Sequence, residues 1–167
     1  MSDTNVRGAI RVRQIVDWDA AVWAGLIAGL LFLVVAMILA AVAVGDPWVV
    51  LKIFASPVMG PDVIEPATGS DALVMVVGLL VHLVLSVLFA FLLAIIFHRW
   101  GLVVATLGGA LFGLILYLIN FHGVAYVMPW FYLYRSWMLL AGHILYGAVV
   151  GFVYEALETE TFVPIED

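Results

Sequence analysis

Cysteine is absent from the 167 residues, which excludes disulfides, thiolate nucleophiles, iron–sulfur clusters and cysteine-held zinc. Charge is scarce too, at 11% of residues against roughly 25% in soluble domains. With six Lys and Arg in all, no basic stretch interleaved with aromatics is present to hold nucleic acid. Nor does any Gly-rich loop follow a strand, and no serine, histidine and acid stand in the pattern of a nucleophilic triad. What is abundant is apolar: 66% of the chain is hydrophobic and the mean hydropathy is +1.23. Lipid is therefore the solvent for most of this chain, with length for four spans of about 20–25 residues.

The fold class predicted is an all-α membrane protein, a four-transmembrane-helix bundle. Residues 1–18 form an N-terminal segment, in which 7–16 suit a short amphipathic stretch on the membrane surface and Asp19 suits the cap of the first span. A transmembrane domain over 19–157 follows, with spans at about 20–44, 72–97, 102–121 and 136–157. The first apolar run is far longer than the roughly 7–15 residues of a signal-peptide core, so it is expected to be retained. The outer loop over 45–71 carries Pro47, Pro57, Pro61 and Pro66, and its apolar run at 48–54 is too short to span, which predicts an interfacial or re-entrant helix. Asp71 suits the cap of span 2, and Gly101 permits a tight turn between spans 2 and 3. Residues 122–135 hold an aromatic belt around Pro129. Residues 158–167 are predicted to be a solvated acidic tail, which with the first loop carries most of the formal charge of −6. Arg7, Arg11, Arg13 and Arg99 lie on one side against Lys52 and Arg135 on the other, so both termini are expected in the cytoplasm.

Small residues recur every four positions in each span: Gly25 and Gly29, then Ser86 and Ala90, then Gly109 and Gly113, then Gly147 and Gly151. At that spacing they form one stripe on a helix, and in lipid such stripes are where backbones approach. His82 precedes Ser86 by four residues, and His143 precedes Gly147 by four. Residues 25–32 of span 1 also match 105–112 of span 3, with small residues in step and Leu-Phe identical. The chain thus reads as a tandem repeat of two helical hairpins, related by a pseudo-twofold axis along the membrane normal.

His82 and His143 are the intramembrane ionisable groups, about 16 Å and 10 Å inside their spans by helical rise. Three uses compete for them. Each can fix helix register by bonding a neighbouring carbonyl or hydroxyl. Together they can ligate a b-type haem from two facing helices. With Glu155 they can line a proton or substrate path. His98 and His122 fall at the membrane faces; His122 with Asn120 and His143 near one face is a thin candidate for a metal, and no spacing predicts a structural metal site.

The segments Trp23-Ala24-Gly25-Leu26-Ile27-Ala28-Gly29, Tyr117-Leu118-Ile119-Asn120-Phe121, Pro129-Trp130-Phe131, Arg135-Ser136-Trp137 and Gly142-His143 resemble a group of small bacterial four-span membrane proteins. The likeness spans most of 18–157 and implies a bacterial inner (cell) membrane. Some of that group carry a sodium/proline-symporter label. That activity is not implied here, because this chain is much smaller than such symporters and has no obvious broken helix for a sodium site. The function expected is a non-enzymatic accessory or assembly subunit without a cofactor, working in the lipid bilayer as a homo-oligomer or with other membrane subunits. The alternatives are a bis-His haem b electron-transfer subunit with His82 and His143 as ligands, and a small transporter or channel.

Overall fold

The computed structural model describes residues 12–65 and 71–164. Four helices are long and apolar enough to cross a membrane, so the chain is an all-α multi-pass membrane protein. They are α1 (Trp18–Val44), α3 (Ala72–Phe97), α4 (Gly101–Leu118) and α5 (Trp137–Leu157). A shorter helix, α2 (Val49–Met59), lies between α1 and α3. Two short strands, β1 (Val12–Ile15) and β2 (Thr161–Pro164), pair antiparallel beside the termini.

The helix starts follow their caps. Asp17 accepts the Ala20 N–H, Asp71 accepts that of Leu73, and Ser136 accepts that of Leu139, each satisfying a donor that has no partner within its helix. Asp19, expected to cap α1, instead sits inside its first turn, because the helix begins at Trp18. Gly101 adopts φ +74°, a left-handed conformation that turns the chain from α3 into α4 within three residues.

Three further expectations are corrected. Residues 12–15 are a strand rather than part of a surface helix, the rest of 7–16 lying outside the described residues. The tail is not wholly free in solvent, since 161–164 pair with 12–15. Span 3 is α-helical only to Leu118; a π turn (Ile119–Gly123) and a 3-10 turn (Val124–Tyr126) follow, so the apolar segment continues with altered winding.

Helix packing follows the small residues. A Cβ on Gly25 would meet the Val87 backbone at 2.8 Å and Ala90 at 3.0 Å, and one on Gly29 would meet the Ser86 hydroxyl at 2.6 Å, so α1 lies on α3. On the other pair, Gly109 faces the Gly147 carbonyl, Gly113 the His143 carbonyl and Gly151 the Ala105 carbonyl, all backbone to backbone. α5 also packs along α1, whereas α3 and α4 touch little beyond the turn that joins them. The order across the molecule is α4, α5, α1, α3, with α2 laid along α3. There the Leu51 carbonyl fills the space a side chain at Gly78 would need, and Phe54 lies 4.4 Å from the His82 ring. The helix expected over 48–54 is therefore longer and is seated among the spans rather than resting beside them. Lys52 is buried within it and pairs with Asp46 at 3.4 Å.

Candidate functional site

Phe32, at mid-length of α1, is the centre of the polar core. Its ring stacks on His82 at 5.7 Å and meets His143 edge-on at 5.2 Å and Tyr146 at 6.2 Å. A phenyl group thus separates the two histidines. His82 is buried, and its Nε2 donates to the Gly29 carbonyl at 2.9 Å, which fixes the tautomer and ties α3 to α1. Tyr146 donates to the Ser86 carbonyl at 2.7 Å and so ties α5 to α3. His143 uses Nδ1 to donate to the Leu139 carbonyl at 2.8 Å on its own helix. Its Nε2 is left as an acceptor, facing the Asn120 amide nitrogen at 3.5 Å, a long contact.

Bis-imidazole haem ligation needs two ring nitrogens aimed at one iron from opposite sides of a macrocycle. Here Phe32 occupies the space between the rings, His82 Nε2 is engaged by Gly29, and the Ser86–Gly29 contact admits no added atom. The residues as arranged do not fit a haem. His122, grouped by sequence with Asn120 and His143, turns away from them, and its Nδ1 accepts from Arg135 at 3.3 Å. His98 is buried at the α3–α4 turn, beside the Ala94 and Ile95 carbonyls at 3.2 Å, and accepts from Arg99 at 2.9 Å. Among the described residues no three His, Asp or Glu side chains converge as metal ligands.

On the loop side, opposite the termini, a crevice of about 610 Å³ opens between α1, α2 and α5 under the 3-10 segment Pro129–Tyr134. Its walls are apolar, with Phe32, Ala36, Leu39, Phe54 and Leu139 among them, and Asn120 and His143 are set into one wall. The segment above it is pinned by Trp130, whose Nε1 donates to Ser56 Oγ at 3.0 Å. Arg135 borders the crevice. Sequence reasoning grouped Asn120 with His143, though as a metal candidate, and did not single out Phe32 as an organiser of the site. The signal for Asn120 was an amide within an apolar run; Phe32, the one phenylalanine of α1, entered only through its match to Phe112, because a helix apolar all round does not mark its inner face.

On the termini side a second polar group ties the chain ends together. Asp17 Oδ2 accepts the Thr159 N–H at 3.0 Å, and the Asp17 N–H is donated to the Tyr154 hydroxyl at 3.3 Å. That hydroxyl in turn donates to Glu158 at 3.1 Å, which also accepts from Gln14 at 3.2 Å. The backbone N–H groups of Ala20 and Thr159 hold the Asp17 carboxyl below its ordinary value. Burial pushes Glu158 above its own, against the pull of its hydrogen bonds to Tyr154 and Gln14. Glu155, considered for a proton path, has a buried carboxylate oxygen without a hydrogen bond and faces this end of the protein, apart from His82 and His143.

Fold and site together define a multi-pass helical membrane protein with a crevice on one side. Comparison with protein families, curated proteins and solved structures gave no significant match.

Proposed function

We propose that this protein is a non-enzymatic accessory or assembly subunit of a membrane, acting as a homo-oligomer or within a larger membrane complex. The observation that carries this reading is where the intramembrane polar groups are spent. His82, Tyr146 and His143 each donate to a backbone carbonyl, and the first two of those bonds join one helix to another. Such bonds hold a bundle together, and the Phe32 ring, which offers no group to carry a proton, stands between His82 and His143. The transporter reading is less favoured, because below the crevice the Gly109–Gly147 and Ala105–Gly151 contacts bring α4 and α5 together at backbone distance.

An origin by duplication of one helical hairpin is part of the same proposal. It is supported by register. Gly25 opposite Ala90 and Gly29 opposite Ser86 correspond, at fixed offsets of 80 and 61 residues, to Ala105 opposite Gly151 and Gly109 opposite Gly147. A bacterial inner membrane with cytoplasmic termini is the setting proposed, on the excess of arginine on the side of the termini.

The test is to extract the protein from its native membrane in a mild detergent, after cross-linking in place, and to size it. A defined oligomer or stoichiometric companions are expected. A monomer without companions, whose deletion changes no membrane complex, overturns the proposal.

A further inference from the structure

We propose that the loop-side crevice binds one anionic phospholipid, with its phosphate on Arg135, an ester carbonyl on the Asn120 amide, and one acyl chain between α1 and α5. Three features of the molecule converge on this ligand.

The first is a cation built for phosphate at the rim of an apolar space. Arg135 is fixed from three directions: Nε donates to the Tyr132 carbonyl at 3.4 Å, Nη1 donates to His122 at 3.3 Å, and the guanidinium lies 3.9 Å from the centre of the Tyr132 ring. Two of its five N–H groups are used, so three remain, and among the described residues no carboxylate lies within ion-pair distance of it. A pre-positioned, unneutralised guanidinium at a membrane face matches a phosphate in charge and in fork geometry. Lys52, the other cation of this side, is buried against Asp46.

The second is an amide with too few partners. Among the described residues the Asn120 side chain has one hydrogen-bond contact, the 3.5 Å approach to His143, so most of its capacity is unspent at the wall of a mainly apolar crevice. An under-paired amide in such surroundings favours a ligand whose carbonyl accepts from its free N–H. His143 stands seven residues inside α5 from Ser136, about 10 Å below the face of the membrane, and Asn120 is beside it. The ester carbonyls of a phospholipid lie between headgroup and chains, within roughly the outer 5–7 Å of the bilayer, so a lipid bonded to this amide has its phosphate drawn inward on Arg135, below the general headgroup level.

The third is the space itself. About 610 Å³ lies within the roughly 300–1,000 Å³ range of small-molecule sites, and its lining by Ala36, Leu39 and Leu139 suits a flexible hydrocarbon chain. The site draws on α1, α2, α5, the turns that end span 3 and the segment before α5, all within one chain.

The experiment is native mass spectrometry of the whole protein, released from nanodiscs containing equal amounts of phosphatidylglycerol and phosphatidylcholine of the same chain length. One phosphatidylglycerol should be retained on the order of fivefold over phosphatidylcholine. Arg135→Gln should remove that preference, Arg99→Gln on the opposite face should leave it, and Ala40→Phe, which fills the crevice, should abolish retention of both lipids. Equal retention by the unmutated protein overturns the proposal, and so does a preference that survives Arg135→Gln. If Arg135→Gln does not fold, the same comparison is made on the unmutated protein with diacylglycerol, which keeps the ester carbonyls and chains but lacks the phosphate. Diacylglycerol retained as well as phosphatidylglycerol overturns the phosphate assignment.

Discussion

The pairs α1–α3 and α4–α5 meet in the same register but solve the contact differently. In α4–α5, glycines stand on both helices, and carbonyls of one face the glycines of the other at Gly109, Gly113, Gly147 and Gly151. In α1–α3, glycines on α1 meet Ser86 and Ala90, and the imidazole of His82 reaches across to the Gly29 carbonyl. The difference at one position decides the fate of the histidines. Opposite His143 stands Gly113, so the backbones touch there and the ring has no room between the helices; it goes to Phe32, Tyr117 and Asn120 at the crevice. Opposite His82 the corresponding residue is Leu33, and the ring remains buried as a cross-helix donor. A glycine opposite the histidine lets the backbones touch and turns the ring out to the crevice, whereas with leucine at the corresponding position the ring stays buried between the helices.

The most damaging way to break this comparison is to place a large residue in the tighter pair. Gly147→Leu should prevent α4–α5 docking, because even a Cβ there meets the Gly109 carbonyl, and the expected cost exceeds about 3 kcal/mol, with loss of folded protein on extraction. Next come the histidines. His82→Leu should cost about 1–2 kcal/mol, since it removes an interhelical bond from a buried site. His143→Leu should cost less than about 1 kcal/mol, because its carbonyl bond is within one helix and its ring borders open space. Reversible unfolding in mixed micelles distinguishes the two, and equal costs would remove the distinction between retained and expelled rings. Tyr146→Phe, which deletes the bond between α5 and α3 alone, should cost about 0.6 kcal/mol in the same assay.

The smallest effect concerns the tie between the chain ends. Asp17 has its carboxyl held below the ordinary value, so its contribution is present above about pH 4 and is lost as pH falls through the folded value. Glu158 is shifted upward, so its contribution is greatest in acid and fades as pH rises through its folded value. The tie should therefore be firmest in mildly acidic solution and loosen on either side, by a few tenths of a kcal/mol because both groups are only partly buried and solvent screens them. Spin labels at positions 13 and 163, introduced into a chain that has no cysteine of its own, report it as a distance distribution against pH.

How much of this was legible in the sequence depended on the kind of signal. The four spans were readable because uncharged apolar runs of span length have few other uses, and the small-residue stripes were readable because lipid gives helices little else to pack with. Which stripe met which was not written in any one helix: α5 against α1 is a tertiary choice, and a helix apolar on every side does not mark its inner face. The seating of α2 depended on Gly78, which extends the stripe of His82, Ser86 and Ala90 by one turn yet faces α2 rather than α1. The β1–β2 pair joins residues at opposite ends of the chain, where no local pattern links Arg13 to Val163. The histidines were found by their chemistry, but their separate fates followed from Leu33 and Gly113, residues of no chemical interest in themselves.

The measurement that tests the central claim most directly is the paired stability of Gly29→Ala and Gly109→Ala, by unfolding in mixed micelles. At Gly109 the new methyl meets a backbone carbonyl that cannot step aside; at Gly29 it meets the Ser86 hydroxyl, which can rotate away, and the Ser86 Cβ at 2.8 Å, which yields only if α1 and α3 part by a few tenths of an ångström. A cost of about 2–3 kcal/mol at Gly109 and a smaller one of about 1–2 kcal/mol at Gly29 is predicted. Equal costs, or a larger one at Gly29, would contradict the account.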